Sequence, residues 1–311
     1  MIARTPGTAW FVRKAALAPV AIKTPLFERA LSEIAWRATI DTRLVETNGG
    51  ISNDLRLLLP AHKLSLLFGR PCDSEAERST LALARTLARR STAFLDVGAN
   101  EGLFTIMIAT DTAGGPSGAV HCFEPDPALF ARLRENLRRN NIGAAAINAA
   151  LGRETGMATF YRNHSDDSSG SLTTYFADKH QVAAIEVPVR TLGGYLEDND
   201  LRHVCAKVDV EGAGLAVWEG TGKACGRIDW LIMEMLDPEM KAGLPRRIMA
   251  ETGWHAYYIR DFSLIRSLDG EFEYRPPFFN WLLCAAPPAT LRDVLAGTPF
   301  RVVEPAPQRP A

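Results

Sequence analysis

The spacing of apolar residues changes near residue 93. In residues 74–90 they recur at helical intervals, which predicts an amphipathic helix. Beyond residue 93, short apolar runs alternate with helical stretches. The predicted strands are 93–97, 119–123, 144–149, 204–210 and 230–235, and the first two predicted helices among them are 103–109 and 127–139. This alternation predicts an α/β fold in which a parallel sheet carries helices on both faces.

Two segments depart from this alternation. Residues 43–47 and 54–59 flank Asn48-Gly49, a dipeptide that predicts a hairpin turn because both of its positions tolerate positive φ. Residues 157–189 contain two β-like stretches around a polar loop rich in Ser and Gly at 164–171. Such a loop is either a solvated connector or a lid over a site.

Charge is balanced over the whole chain but not along it. The 311 residues hold 35 Lys and Arg against 36 Asp and Glu, a net charge of −1, and 47% of them are hydrophobic. This composition excludes bulk disorder and an overall field for nucleic acid. Residues 1–93 hold 14 basic against 8 acidic side chains, so this third is basic. It faces either an anionic partner, such as a membrane surface, or the acidic remainder of the chain.

The cysteines and the N-terminal segment bear on the compartment. Five scattered cysteines without a CxxC spacing indicate neither a disulfide framework nor a zinc site, so we expect a reducing cytoplasm. The apolar run at 15–22 is interrupted by Pro19 and is too short to span a membrane. We therefore expect no signal peptide. Two interpretations stay open for this run: a helix packed on the domain, or an interfacial membrane contact.

The strongest local motif is the turn after the first buried strand, residues 94–102. The strand delivers Asp96 to its carboxyl end, and Gly98 and Gly102 let the backbone approach a ligand. Asn100 stands where a dinucleotide fingerprint has its second glycine, so the spacing does not fit that fingerprint. The carboxylates of Asp96 and Glu101 flank the turn, which favours a ligand with positive charge.

A second acidic position follows the next strand. Glu124 comes 26 residues after Gly98, where a carboxylate that accepts both ribose hydroxyls is expected at an interval of about 20. The glycine-rich turn at 114–118 explains the longer interval. Asn148 and Ala149, which end the third strand, are then expected near the purine.

Carboxylates also mark the next two strands. Asp209 and Glu211 lie two residues apart at the end of a strand and so share one side. They could orient an acceptor, bind a divalent cation or cap the following helix. Glu234 lies within an apolar run, and because an unpaired buried charge is costly, we expect it to have a partner at the end of the sheet.

Together these motifs resemble the FkbM-type S-adenosylmethionine-dependent methyltransferases. The matching stretches are 95–102, 123–125, 168–172, 187–192 and 207–213. The resemblance implies a Rossmann-like class I methyltransferase fold with a mostly parallel seven-stranded sheet. We expect a helical and hairpin extension at 1–70, the methyltransferase domain at 71–290 and a Pro-rich tail at 291–311.

The resemblance also implies a function and a set of site residues. We expect methylation of a hydroxyl on a sugar, glycolipid or polyketide-type small molecule, with S-adenosylmethionine as donor and no nucleic acid partner. The expected cofactor-binding residues are Asp96, Gly98, Asn100, Glu101, Gly102, Glu124, Asn148 and Asp209. The expected catalytic residues are Asp209, Glu211 and His164.

Two kinds of side chain could act as the general base. An alcohol has a pKa of ~15.7 and a free carboxylate one of ~4, so Asp209 or Glu211 can take the proton only while the new bond forms. His164 in the polar loop is a better matched base, with His203 and His255 behind it. A divalent metal held by Asp209 and Glu211 is another route to acidifying the alcohol.

Gly214 departs from the family, which usually has a Glu at this position. The departure leaves room for a second hypothesis, a non-catalytic or scaffold protein that retains the fold and cofactor binding. A nicotinamide-dependent dehydrogenase fails on the glycine spacing of the first turn.

Overall fold

The computed structural model describes residues 39–44, 55–60, 73–111, 115–116, 118–163, 170–174, 182–271 and 278–305. These residues form one large sheet covered by helices, a small sheet beside it and a separate strand pair near the N-terminus. The strands are Thr39–Leu44 (β1), Leu55–Pro60 (β2), Ala93–Val97 (β3), Val120–Phe123 (β4), Ala145–Ile147 (β5), Ala150–Leu151 (β6), Gly156–Asn163 (β7), Val182–Arg190 (β8), Val204–Val208 (β9), Ile228–Glu234 (β10), His255–Arg260 (β11), Ser263–Ser267 (β12), Asn280–Cys284 (β13) and Arg301–Val303 (β14).

The helices lie mainly between the strands of the large sheet. They are Asp73–Ala88 (α1), Leu103–Ala109 (α2), Pro127–Arg139 (α3), Leu192–Asp198 (α4), Gly214–Thr221 (α5), Asp237–Lys241 (α6), Leu244–Thr252 (α7) and Pro288–Val294 (α8). A 3₁₀ helix, Gly222–Arg227, connects α5 to β10. Asp126 caps α3 by accepting hydrogen bonds from the backbone of Ala128 and Leu129.

The large sheet contains nine strands in the order β14-β12-β11-β13-β10-β9-β3-β4-β5. The last five of these run parallel to one another, whereas β13 pairs antiparallel with both β10 and β11, and β11 pairs antiparallel with β12. The fold is therefore α/β and Rossmann-like, as predicted, but the prediction of seven strands is wrong. A tight turn at Asp261, with φ +50°, returns the chain as β12, and β14 then pairs with β12.

Both faces of the large sheet are buried, since alternate residues of one strand enter different cores. Ala93, Leu95 and Val97 pack on one side with residues of α4, α5 and α7. Phe94 packs on the other side with residues of α1, α2 and α8. A strand buried on both faces gives a continuous apolar run rather than an alternating one, which is the pattern of residues 93–97.

The segment that interrupts the predicted alternation forms the small sheet. Its order is β6-β8-β7, with β7 and β8 antiparallel over eight residue pairs. An isolated bridge joins Tyr161 to Ser171. This sheet lies close to the carboxyl edge of the large one, because β6 begins three residues after β5 ends.

The chain ends are described only in part. β1 and β2 pair antiparallel, with Leu44 opposite Leu55, while the predicted Asn48-Gly49 turn lies outside the described residues. At the other end, α8 and β14 continue the large fold beyond residue 290. The predicted domain boundaries at 70 and 290 stay predictions. None of the helices in the described ranges combines the length and apolarity needed to cross a membrane.

Candidate active site

Five parallel strands deliver their carboxyl ends to one edge of the large sheet. The residues at these ends are Gly98 after β3, Glu124 after β4, Asn148 after β5, Asp209 after β9 and Glu234 in β10. Ligands of open α/β sheets bind at this edge. The parallel pairing of the five strands brings these positions to the same edge.

Position 98 must be a glycine because the backbone after β9 lies very close to it. Its φ is +81°, and a Cβ at this position would lie 1.8 Å from the backbone oxygen of Asp209. The backbone N–H of Asp209 donates to the oxygen of Val97 at 2.9 Å, and the N–H of Gly98 donates to the oxygen of Phe123 at 3.0 Å. The turn is therefore wedged between the ends of β4 and β9, and its shape depends on both.

Gly102 and Glu101 connect the same turn to α3. A Cβ on Gly102, where φ is +91°, would lie 2.5 Å from Leu133. The Glu101 carboxylate is 3% exposed and forms an ion pair with Arg132 at 3.2 Å. The side-chain amide of Asn136 also donates to the Glu101 backbone oxygen at 2.8 Å. The contacts of Gly102 and Glu101 hold the start of α2 against α3.

Glu124 is buried and held by backbone donors. Its carboxylate accepts from the N–H of Asn100 and from the N–H of Asp126, both at 2.9 Å. Burial raises its pKa to about 8, although the two N–H donors favour the charged form. The amide of Asn148 donates to the backbone oxygens of Glu124 at 2.8 Å and Pro125 at 3.0 Å, so it fixes the loop that carries the carboxylate.

Three carboxylates lie close together at the carboxyl ends of β9 and β10. Asp209, Glu211 and Glu234 each offer an oxygen, and these oxygens lie within 4.8 Å of one another. Burial raises the pKa of Glu234 well above its usual value, and the neighbouring charges of Asp209 and Glu211 raise it further. Two like charges at this distance repel by about 3 kcal/mol at an effective dielectric constant of ~20, so three full charges need compensation.

Lys207 supplies part of that compensation. Its ammonium lies 2.8 Å from Asp209 and is buried with 6% of the side chain exposed. It also lies 4.2 Å from the centre of the Phe104 ring, a cation–π distance. The sequence left a divalent cation open at Asp209 and Glu211. Because an oxygen of Asp209 already has this ammonium partner, we assign no metal to the cluster.

Asp96 lies behind the cleft rather than in it. Its side chain is fully buried, and one oxygen accepts from the N–H of Thr105 at 2.9 Å and from its hydroxyl at 2.6 Å. The other oxygen has no hydrogen-bond partner among the described residues. Burial raises the pKa of Asp96, while the neighbouring Lys207 lowers it. Asp96 therefore anchors α2 to the end of β3.

One cleft joins the two ends of this edge. Of the residues predicted to bind the cofactor, Gly98, Asn100, Glu124 and Asp209 line it, and the predicted catalytic residue Glu211 lines it with them. The side chains of Asp96, Glu101 and Asn148, together with Gly102, lie outside this lining. Their contacts shape the loops that do line the cleft, and a direct cofactor contact from them stays a prediction.

The small sheet forms the opposite wall. Phe160 and Arg162 of β7 line the cleft, and Arg162 makes a two-point ion pair with Asp126. Gly170 lies against the Phe160 ring, where a Cβ would come within 2.5 Å of it. The Ser171 hydroxyl donates to the backbone oxygen of Val210 at 3.3 Å. These contacts tie the small sheet to both ends of the cleft.

The structure separates two of the three histidine candidates from the site. His203 precedes β9 and His255 begins β11, so both lie at the amino edge of the sheet, opposite the cleft. His203 pairs with Asp229, and His255 lies beside Arg266. Neither can act as the base in this cleft. His164 lies outside the described residues, so its role stays a prediction.

A comparison with family models gives a match to the FkbM methyltransferase domain over residues 96–267. These residues contain the glycine turn, Glu124, the small sheet and the acidic cluster. The chain belongs to the FkbM methyltransferase family. No curated protein matches it.

The chain is also similar, at low sequence identity, to several solved structures. An O-methyltransferase from Bacillus cereus, in complex with SAH, is 11% identical with a TM-score of 0.39, covering 73% of this chain and 96% of its own. An rRNA methylase from Streptococcus thermophilus is 10% identical with a TM-score of 0.37, covering 67% and 93%. TrmK from M. capricolum, in complex with S-adenosyl-homocysteine, is 10% identical with a TM-score of 0.36, covering 66% and 66%.

The departure of this FkbM-family chain at Gly214 has a structural counterpart. Gly214 is the first residue of α5, and its N–H donates to the carboxylate of Glu239 in α6 at 3.0 Å. A Cβ at Gly214 would meet the same carboxylate at 3.3 Å. Glu239 is buried with 1% exposed. A carboxylate therefore lies at the start of α5 although residue 214 does not carry one.

Sequence reasoning missed two charged residues of this site. Lys207 lies in β9 and Asp209 follows directly after that strand, and this two-residue spacing could have identified Lys207 as a partner on the same side. Arg162 reaches the cleft because β7 folds over the start of α3. No local pattern in the sequence indicates that contact.

Proposed function

We propose that this protein is an S-adenosylmethionine-dependent O-methyltransferase that acts on a hydroxyl of a small molecule of the sugar, glycolipid or polyketide type. The observation that carries the proposal is the single cleft that contains both Glu124 with the glycine turn and the acidic pair Asp209 and Glu211. Membership in a methyltransferase family supports the reaction class.

The residues present fit the cofactor. The Glu124 carboxylate is fixed by two backbone donors, so its remaining lone pairs can accept ribose hydroxyls. The acidic end of the cleft suits the positive charge of the ligand. When bound, the cofactor supplies a methyl group that is already activated by the positive sulfur.

The acidic end also suits proton transfer from an alcohol. The Glu211 carboxylate lines the cleft in a left-handed backbone conformation, with φ +51°, which a Glu rarely adopts. A strained residue of this kind at a ligand cleft favours a functional role. We assign Glu211 as the group that takes the hydroxyl proton as the new C–O bond forms, a contribution of typically 10²–10⁴-fold. Asp209, held by Lys207, orients the acceptor.

Calorimetry with S-adenosylmethionine tests the cofactor site. The parent protein should bind it, and Glu124→Ala should weaken binding by about 10–100-fold, because hydrogen bonds to a charged group are lost. Asp96→Asn should weaken binding less, since Asp96 acts through α2. Glu197→Gln is the matched control, because Glu197 is an exposed carboxylate on α4.

Two results would contradict the assignment. Unchanged binding in Glu124→Ala would remove Glu124 from the cofactor site. Stoichiometric binding without methyl transfer to any of a broad panel of hydroxylated acceptors would favour the non-catalytic alternative. Circular dichroism of each variant establishes that it is folded before its affinity is compared.

A further inference from the structure

A second buried carboxylate lies beside Glu124 at the start of α3. Asp126 is 3% exposed, and its backbone N–H donates to the Glu124 carboxylate at 2.9 Å. Its own side chain therefore brings a negative charge near the group that is expected to bind ribose. A nearby like charge disfavours ionisation of a carboxyl group. The charge of Asp126 is accordingly one of the causes that raise the pKa of Glu124, after burial.

Arg162 of the small sheet supplies a countercharge to Asp126. Its Nη2 donates to Oδ1 of Asp126 at 2.8 Å, and its Nε donates to Oδ2. Among the described residues, Arg162 is the cation that pairs with Asp126, whose side chain is 4% exposed. A planar guanidinium matches a carboxylate at two points, which an ammonium cannot do.

The same carboxylate also fixes the backbone. Oδ1 of Asp126 accepts from the N–H of Ala128 at 2.7 Å and from the N–H of Leu129 at 3.3 Å, which caps α3. The side chain of Asp126 is thus held by α3 on one side and by Arg162 on the other. Its N–H, which points at Glu124, belongs to a residue whose position depends on both contacts.

The other neighbours of Glu124 are neutral or already paired. Glu101, in the turn after β3, raises the pKa of Glu124 slightly and forms an ion pair with Arg132 of α3. Burial raises the pKa of the Cys122 thiol on β4 to about 12, so this thiol is uncharged near neutral pH. The loop after β5 presents an amide. Asp126 is therefore the charged neighbour of Glu124 that is neutralised from the small sheet.

We propose that Arg162 is a positioning residue for cofactor recognition: it neutralises Asp126, so that Glu124 can ionise and accept the ribose hydroxyls. The small sheet thus acts on the ribose-binding end of the cleft through two carboxylates in series. The inference rests on the proposed function, because Glu124 is a ribose ligand only if S-adenosylmethionine binds in this cleft.

The titration of Glu124 in the ligand-free protein tests the electrostatic step. NMR of protein labelled with ¹³C at the glutamate carboxyl groups follows it, and Glu124→Gln identifies the signal. Arg162→Met should move the transition of Glu124 to higher pH by about half a unit or more, whereas Asp126→Asn should move it to lower pH. Both variants break the same ion pair, so a purely structural contact predicts no such opposition. An unchanged transition in Arg162→Met, or shifts of the same sign, would overturn the proposal.

Calorimetry with S-adenosylhomocysteine near pH 7 tests the consequence for binding. Arg162→Met should bind about threefold more weakly or worse, the factor that half a pH unit represents. Arg162→Lys keeps the charge and should lose less. The double variant Arg162→Met/Asp126→Asn should recover affinity, because no charge is left to neutralise. A defect that persists in the double variant would overturn the proposal.

Arg190→Met is the matched control. Arg190 lies in the same small sheet and pairs with Asp198 at 3.3 Å, but it does not line the cleft. This variant should bind as the parent does, and a loss equal to that of Arg162→Met would contradict a specific role for Arg162. Circular dichroism establishes that each variant is folded before its affinity is compared.

A failure of the proposed function gives a different result. If S-adenosylhomocysteine does not bind the parent, the cofactor assignment is refuted, and the role of Arg162 in recognition falls with it. If it binds the parent and Arg162→Met with equal affinity, the cofactor assignment stands and only the role of Arg162 is refuted.

Discussion

The two ends of the cleft handle buried carboxylates in opposite ways. Glu124 accepts from two backbone N–H donors and pairs with no cation among the described residues, whereas Asp209, Glu211 and Glu234 lie together, with the ammonium of Lys207 on Asp209. At the first end, fixed backbone dipoles hold one acidic group in a set geometry. At the second, three acidic groups lie close enough to affect one another's ionisation. The first arrangement suits recognition of neutral hydroxyls, and the second suits a response to charge.

The comparison teaches that burial alone does not decide the role of a carboxylate. Burial raises the pKa of both Glu124 and Glu234. The order of the neighbours' effects differs: after burial, the charges of Asp209 and Glu211 act most on Glu234, whereas the backbone N–H groups of Asp126 and Asn100 act most on Glu124. Substitutions can test this comparison. A substitution that disturbs both ends of the cleft should have the largest effect on stability or binding, one that disturbs a single end a smaller effect, and one that removes a single side chain the smallest.

Gly98→Ala should disrupt the structure at both ends of the cleft. The new Cβ would overlap the Asp209 backbone oxygen, and the positive φ adds strain, so we expect a loss of about 5 kcal/mol in the free energy of unfolding. Urea denaturation measures it. Gly143→Ala is the control, because a Cβ there meets nothing within 4 Å and should change stability by less than about 1 kcal/mol. Similar losses in the two variants would contradict the wedge described for Gly98.

Lys207→Met should break the acidic end alone. It leaves buried carboxylates without their cation, a loss of about 3–5 kcal/mol by analogy with other broken buried pairs. Lys207→Arg keeps the charge and should lose less. Thermal and urea denaturation of both variants measure the difference. If Lys207→Met were as stable as Lys207→Arg, the ammonium would not be compensating the cluster.

Glu124→Gln should break the other end alone. In the parent, the affinity for S-adenosylhomocysteine should rise several-fold as pH increases toward about 8 and then level off, because the carboxylate accepts hydroxyl donors better than the acid does. The variant should bind about 10-fold or more weakly. Calorimetry across this pH range measures both effects. The ligand amino group titrates alike with both proteins, so a pH dependence that survives in Glu124→Gln would exclude Glu124 as its source.

Glu124 should affect the free energy of unfolding in the opposite direction to the S-adenosylhomocysteine affinity as pH rises. Its pKa is raised in the folded protein, so the unfolded chain ionises first as pH rises from 4.5. Stability from this group is therefore present below pH 4.5 and is lost as pH rises through about 8. Glu124→Gln should show a flatter decline of the free energy of unfolding over this window, which urea denaturation at several pH values measures.

Glu211→Gly should have the smallest effect on stability of these variants, and it tests the role of one side chain at the acidic end. Glycine adopts positive φ without strain, and its greater freedom in the unfolded chain offsets that gain, so stability should change by no more than about 1 kcal/mol. Methyl transfer should fall at least about 10²-fold if Glu211 takes the proton. Full activity in this variant would remove Glu211 from proton transfer.

The central strands could be predicted from the sequence because they are buried on both faces. The bounds predicted for residues 93–97, 103–109 and 127–139 are those observed. The four strands β11 to β14 were missed because they lie outside the repeating alternation. β12, Ser263–Ser267, mixes buried and half-buried residues with polar ones, and it is specified by its pairing with β11.

The site could be predicted where chemistry and strand ends coincide. Glu124, Asp209 and Glu211 were placed at strand ends and line the cleft. Asp96 shares a strand end but faces Thr105, because the first turn of α2 leaves N–H groups that need an acceptor. The contact of Arg162 with Asp126 joins residues 36 positions apart and has no local signal.

The large sheet ends on both sides in a three-residue strand. β5, Ala145–Ile147, forms one border, and β14, Arg301–Val303, forms the other. Long exposed borders are templates on which strands of other molecules can add, and short ones offer few backbone groups for this. These two borders therefore disfavour aggregation by strand addition at high protein concentration, even though the sheet between them is wide and apolar.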